Sequence, residues 1–465
     1  MTRFRKFGVA CLGLIGLMLW LIGCGKNDQP QQARIILTAD IRGRLVPCGC
    51  FTGQLGGMTR LYTALNEMSQ QAGIRVDAGD AISGHQDYEI IQYQHILQAF
   101  NQMKFDALNL GAREASIPAA TLLRLEQETA APLISANLIN TETGQALLPT
   151  HINKSIGQNT VTIVGIVDHE SVDMDQLGAG LQLVEPEIAL RALLPKLRKQ
   201  ADIIVLLAFA KEARLRELAD KFYEADFILG GDVTQPSGHT RRINQSQVFY
   251  VANESRTIGQ IDFNIQPREN IQRPEISIIN AQPRLLYEDI PEAEAITQLA
   301  HAYRKRIRNT TLDIDRFDSS TENLIPGVRA VAQYMGSQTC AACHQEESLV
   351  WQKTGHAHAW STLQRQDADA DPKCITCHSV GFGKPSGYRR EFKHEKLVNV
   401  GCESCHGPGS THVAERSSGQ AVTFHFRTLT EADCRSCHYG EFSRPFEWSE
   451  FWPEVAHGPQ AKQTN

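Results

Sequence analysis

Between residues 34 and 266, short apolar runs alternate with stretches whose hydrophobic residues recur every three or four positions. The runs RIILTAD, IRVDAGD, PLISANL, TVTIVGIVD, DIIVLLAFA, DFILGG, QVFYVAN and IGQIDFNI predict β-strands. Met58, Leu61, Leu65 and Met68 share one helical face, as do Ile90, Tyr93, Leu97 and Phe100, so helices are expected between the early strands. The later strands come with fewer helical patterns, which predicts a mixed sheet. In DIPEAEAITQLAHAYRKRIRN, Asp289 and Glu292 have capping-box spacing, and Ile296, Leu299, Tyr303 and Ile307 form an apolar stripe. This helix is expected to close a first, α/β domain over residues 34–308. A weakly periodic, polar stretch with Pro326 and Gly327 reads as a linker over 309–333. From 334 to 465 aliphatic runs are scarce and Gly, Cys and His abundant, which predicts a mostly helical, loop-rich domain held by cofactors rather than by a large core.

The net charge of −6 over 465 residues is mild, with no basic run to track a phosphate backbone, so no nucleic-acid partner is expected. Arg3, Arg5 and Lys6 precede an apolar run to about Ile22, the pattern of a secretory leader over residues 1–23. The run ends in LIGC, similar to a bacterial lipobox. Cys24 would then carry lipid at the head of a polar tether, residues 24–33, and hold the chain on a membrane surface outside the cytoplasm. The alternative is a plain membrane-spanning anchor of marginal length. Cys11 leaves with the leader.

Eight of the twelve cysteines fall in four CxxCH motifs: Cys340, Cys343 and His344; Cys374, Cys377 and His378; Cys402, Cys405 and His406; Cys434, Cys437 and His438. Such a motif attaches c-type haem, two thiols forming thioethers and the histidine taking the proximal side of the iron. Paired CxxC units also build zinc ribbons, but these need no histidine after every second cysteine. Four covalent haems are therefore expected. Six further histidines lie in this segment: His356, His358, His394, His412, His425 and His457. His356, His358, His412 and His457 are the candidate distal ligands; for any one of them the competing role is an ordinary solvated or hydrogen-bonded side chain.

The blocks YMGSQTCAACHQEESLVWQKTGHAHAW, CITCHSVGFG, NVGCESCHGPGSTHV and CRSCHYGEFSRPFEW resemble the cytochrome c-554 family of tetrahaem proteins. The resemblance implies mostly bis-histidine haems in stacked pairs, electron transfer, and room for one five-coordinate haem. The first domain resembles the calcineurin-like metallophosphatases of the 5'-nucleotidase group, whose two metals are held by DxH, GD, GNHE, a later histidine and GHxH. Asp40 and Asp80 match that pattern. Arg42 replaces the first histidine, GARE (Gly111 to Glu114, with Arg113) replaces GNHE, LLAFA lacks a histidine, and Asp232 and Thr234 stand where GHxH is expected. No dinuclear metal centre is therefore expected. Cys48 and Cys50 in PCGCFTG admit a local disulfide, a metal-binding or redox role, or an inert loop.

Together these features predict a lipid-anchored tetrahaem electron carrier outside the cytoplasm, with an inactive phosphatase-like domain as scaffold or partner-binding module. Its partner would be a redox protein or a membrane electron-transfer complex. The alternatives are a haem enzyme acting on a small nitrogen or sulfur oxyanion, and an active metallophosphoesterase.

Overall fold

A computed structural model describes residues 30–47, 55–68, 71–252, 254–268, 271–316, 332–392, 394–419, 421, 426, 428–439 and 443–461. Cys11, Cys24, Cys48, Cys50 and His425 lie outside the described residues, as does most of the expected linker. Among the described residues no helix is long and apolar enough to cross a membrane.

The first part of the chain is a four-layer sandwich. One six-stranded sheet joins β1 (Gln31–Thr38), β2 (Gly73–Asp77), β3 (Ala107–Asn109) and β4 (Leu133–Ile134) in parallel. A small two-stranded ribbon of β5 (Leu138–Asn140) and β8 (Leu181–Leu183) sits apart. The second sheet runs β6 (His151–Ile156), β7 (Asn159–Val167), β9 (Ile203–Phe209), β10 (Phe227–Gly231), β12 (Ser246–Tyr250) and β11 (Arg241–Ile243), with its two edge strands antiparallel. A long antiparallel hairpin, β13 (Thr257–Arg268) and β14 (Ile271–Leu285), completes the first sheet beside β1. Both sheets are thus mixed, as expected.

Side-chain alternation explains the layering. In β9, Ile203, Val205 and Leu207 enter the core between the sheets, while Ile204, Leu206 and Ala208 enter the core under the outer helices. A strand buried on both faces must be apolar throughout, which is why IIVLLAF shows no polar positions. Helices α1 (Met58–Glu67), α2 (Asp87–Gln102) and α3 (Ala119–Glu128) cover the first sheet. Helices α4 (Pro186–Leu197) and α5 (Glu212–Lys221) cover the second, giving it more helix than the sequence pattern suggested.

Helix α6 (Glu294–Arg308) buries Ile296, Ala300, Tyr303 and Ile307 against α1 and α2. Its expected capping box does not form. The helix starts after Ala293, and Glu292 accepts instead from the Thr59 hydroxyl at 3.1 Å. Pro291 accounts for the delay, since the residue before a proline is driven away from helical backbone.

The second part consists of short helices: α7 (Ser337–Ala341), α8 (Gln345–Gln352), α9 (Ala359–Arg365), α10 (Pro372–His378), α11 (Cys402–His406), α12 (Ser410–Ser417), α13 (Glu431–Arg435) and α14 (Trp448–Val455). Among the described residues its apolar core gathers in a small cluster of Tyr334, Ile375, Val380, Tyr388 and Leu397. So little buried apolar surface leaves most of this region to be organised around something other than aliphatic packing.

Candidate functional site

Each CxxCH motif occupies about one helical turn, so its two sulfurs and its imidazole project to one side. All eight motif cysteines and all four motif histidines line one chamber of about 1810 Å³. A single small-molecule pocket spans ~300–1,000 Å³. The chamber therefore has room for several large planar groups.

Three motif histidines face a second imidazole across the chamber. Ring centroids are 6.2 Å apart for His344 and His412, 6.0 Å for His406 and His457, and 5.9 Å for His356 and His438. Two imidazoles bound on opposite faces of one metal, each by a nitrogen ~2 Å away, have centroids about 6 Å apart. His378 Nδ1 and His457 Nδ1 lie 2.7 Å from the carbonyls of Ala359 and Val455. A carbonyl can only accept, so Nδ1 carries the proton and Nε2 keeps the lone pair a metal needs. Burial lowers the pKa of His356, His406 and His438, favouring the same neutral form.

His358 is placed differently from expectation. It is exposed at the start of α9, and among the described ring pairs it faces no motif histidine; its neighbour His356 takes that position. The short turn over Gly355–His358 explains this, because residues two apart on a helical turn point to different sides. His394 stacks on Phe392 and does not line the chamber. Among the described ring pairs His378 meets no second imidazole.

The motifs group out of chain order. Cys340 of the first motif adjoins Cys402 of the third, and Cys437 of the fourth adjoins Cys377 of the second. Cys405 of the third adjoins Cys434 and Cys437 of the fourth. The spatial sequence is first, third, fourth, second. Glu403, inside the third motif, organises this arrangement and was not singled out from sequence. It is buried and accepts from the backbone N–H groups of Met335 and Gly336, before the first motif, and of Gly409, before the helix that carries His412. The nearest sequence signal was an acidic residue amid glycines in GCESCHGPG.

In the first domain, Asp40, Asp80, the GARE segment and Asp232 follow the carboxyl ends of β1, β2, β3 and β10, the usual position for a site in parallel sheets. Two guanidinium groups fill the space between the carboxylates. Arg42 pairs with Asp40 and Glu254; Arg113 pairs with Asp80, and its backbone N–H also donates to Asp80 at 2.8 Å. Glu114 accepts from the N–H groups of Asp80, Ile82 and Gly111. Asp232 accepts from the Ser171 hydroxyl at 2.7 Å. Burial raises the pKa of Asp40, with Arg42 opposing, and burial together with Glu114 raises that of Asp80, with Arg113 opposing.

Comparison with known proteins follows the same division. The family described as cytochrome c554 and c-prime matches residues 339–407, which contain the first three motifs. Cytochrome c-554 of Nitrosomonas europaea is 32% identical over 164 residues, spanning 27% of this chain and 68% of that protein. Human 5'-nucleotidase is 24% identical over 346 residues, 66% of this chain and 58% of that protein, so the chain spans somewhat over half of this relative. The solved 5'-nucleotidase precursor of Thermus thermophilus shares the fold of the first domain, with a TM-score of 0.52 at 16% identity over 59% of each chain. The chain therefore belongs to the cytochrome c554 family, its c-type haem domain joined to an α/β domain of the 5'-nucleotidase fold.

Proposed function

We propose that this protein is a tetrahaem electron carrier held by lipid on the outer side of a bacterial cytoplasmic membrane or on an outer membrane, with a catalytically silent phosphatase-like domain. The observation that carries the reading is the chamber itself. Eight thioether-forming cysteines line it, and three histidine pairs stand at the spacing one iron demands. Haems bound there would supply one-electron chemistry. The chain's own residues hold and orient: His344, His378, His406 and His438 on the proximal side, and His412, His457 and His356 on the distal side of the first, third and fourth motifs. Trp351 donates to the Val400 carbonyl at 2.9 Å and ties the first motif's helix pair to the approach of the third. Phe426 stands edge-on to both His406 and His412, between the first and third motifs.

The dinuclear metal site of the nucleotidase fold is not suited by the residues present. Asp40 and Asp80 are already engaged by Arg42 and Arg113, and a fixed guanidinium repels a divalent cation. A redox protein or membrane electron-transfer complex is the partner that fits the proposed role, and the LIGC leader supports anchoring at Cys24.

A second reading is favoured by one observation, the absence of an imidazole opposite His378 among the described ring pairs. An iron held there would have an open face, as a haem enzyme reducing or oxidising a small nitrogen or sulfur oxyanion requires. Intact mass after acid-acetone extraction should show four haem increments. Low-temperature paramagnetic resonance with carbon monoxide titration should then show three low-spin haems and one that binds the gas. Fewer than four increments would overturn the count, and four low-spin haems would remove the enzymatic reading.

A further inference from the structure

The two domains meet around the segments that flank the helix carrying the second motif. Arg304 of α6 donates to the Gln366 carbonyl at 2.8 Å, Arg308 pairs with Asp369 at 2.8 Å, and Arg390 reaches back to Asp315 at 2.8 Å. Within this contact lies a buried carboxylate. Asp371 is 7% exposed and caps α10, accepting from the Lys373 N–H at 3.0 Å just ahead of Cys374, Cys377 and His378. Tyr303, 2% exposed and edge-on to His95, sends its hydroxyl from α6 to the side of Asp371 and Cys374. The hydroxyl faces the Asp371 carboxylate. The titratable and charged groups around Asp371 are Lys373 on its own helix, Tyr303 and Arg304 on α6, and Tyr88 on α2.

A buried carboxylate this close to a redox centre feels that centre's charge with little screening. We propose that Asp371, buttressed by Tyr303 of the phosphatase-like domain, takes up a proton when the centre held by the second motif gains an electron. This rests on the reading that Cys374, Cys377 and His378 hold a haem. The step balances: one electron comes from an external one-electron donor, one proton from solvent adds to a carboxylate oxygen, and the net charge of the buried pocket is unchanged. Burial raises the Asp371 pKa against the pull of Lys373, which moves its titration toward neutral pH. The phosphatase-like domain thereby becomes part of the electron carrier: its Tyr303 hydroxyl can accept from the protonated carboxyl and can donate to the ionised one.

The test is spectropotentiometry of the full-length, haem-loaded protein across the acidic to mildly alkaline range, following the carbon monoxide-binding component. In the unmodified protein its midpoint should fall as pH rises, approaching about 59 mV for each tenfold drop in proton activity. Asp371→Asn is a clean variant because asparagine caps a helix as well as aspartate. It should raise that midpoint at neutral pH and abolish its slope, while the other three components keep theirs. Tyr303→Phe should keep the slope but move the pH window. An unchanged slope in Asp371→Asn overturns the proposal and assigns the proton elsewhere, haem propionates included. If Asp371→Asn does not load haem, an unmoved window in Tyr303→Phe overturns it instead. Absence of any carbon monoxide-binding component would refute the open-iron reading alone, since the loss of one component's slope in Asp371→Asn still decides this one.

Discussion

Replacing Glu403 with alanine should destabilise the haem domain about as much as truncating a large side chain of its small apolar core. The Glu403 carboxylate accepts from Met335 N–H at 2.9 Å, Gly336 N–H at 2.7 Å and Gly409 N–H at 2.8 Å, in a site only 3% exposed. Hydrogen bonds to a charged acceptor contribute ~1.5–3 kcal/mol each, and a buried donor left without a partner costs ~1–3 kcal/mol. Three such bonds would sum to roughly 4–9 kcal/mol, but water entering the space left by the side chain recovers part of it, so a loss of about 3–5 kcal/mol is expected. Glu403→Gln should cost less, with the same sign, because its amide puts an N–H₂ against one of the backbone donors. The assay is guanidinium unfolding of the haem-loaded protein, followed by Soret absorbance and far-ultraviolet circular dichroism. The Soret transition should move to lower denaturant while the transition of the α/β domain stays. A Glu403→Ala change below about 1 kcal/mol would refute the idea that this carboxylate holds three chain segments together.

His412→Ala should leave four haems attached, because no thioether is touched, and convert the iron opposite His344 to a high-spin, carbon monoxide-binding state; an unchanged spectrum would retire His412 as a ligand. Arg390→Ala should cost about 1–3 kcal/mol, since Asp315 loses its guanidinium partner in a contact where the two side chains are 8% and 10% exposed but keeps the Leu312 N–H at 2.9 Å, and an unchanged thermal melt would count against a shared interface. The purified protein should not turn over phosphoesters with manganese or zinc, whereas the triple change Arg42→His, Ala112→Asn and Arg113→His should gain metal binding by calorimetry. Metal-dependent turnover by the unmodified protein, lost in Asp80→Ala, would reverse that conclusion.

Much of the fold was legible because burial imposes periodicity. The run at β9 had to be a strand buried on both faces, and the stripe Ile296, Tyr303 and Ile307 had to be a helix packed on one. Helix α5 was harder to see, since EARLRELADK is largely charged and only Leu215, Leu218 and Ala219 meet the sheet. At the site, the motif cysteines and histidines that line the chamber were legible from spacing alone, because a CxxCH turn is a local device. Which further imidazole faces which motif histidine was not, because that depends on the spatial order first, third, fourth, second, set by contacts between segments tens of residues apart. Glu403 stayed invisible for the same reason: its partners lie 67 and 68 residues upstream and six downstream. That His356 rather than His358 faces His438 turned on the pitch of one short turn, which spacing cannot supply.

The first domain places arginines where the metallophosphatases it resembles would carry imidazoles. Asp40, Arg42, Asp80 and Asp232 all adopt left-handed backbone, with φ of 58°, 50°, 60° and 55°. For non-glycine residues this costs ~1–2 kcal/mol each. Such strain persists only where the surroundings over-determine it, and here arginines help do so. Arg42 bridges Asp40 to Glu254, Arg113 holds Asp80 by both side chain and backbone, and a Cβ on Gly111 would fall 2.3 Å from the Asp80 nitrogen. A guanidinium neutralises facing carboxylates as a metal does, yet offers no open coordination position and activates no water. The loop thus fixed does not end in solvent. It runs on through Arg44 to Pro47, which line the haem chamber together with Tyr303 and Arg304. Charges of this kind keep the electrostatics of the chamber wall constant, because covalently attached cations do not exchange with the surroundings as bound ions do.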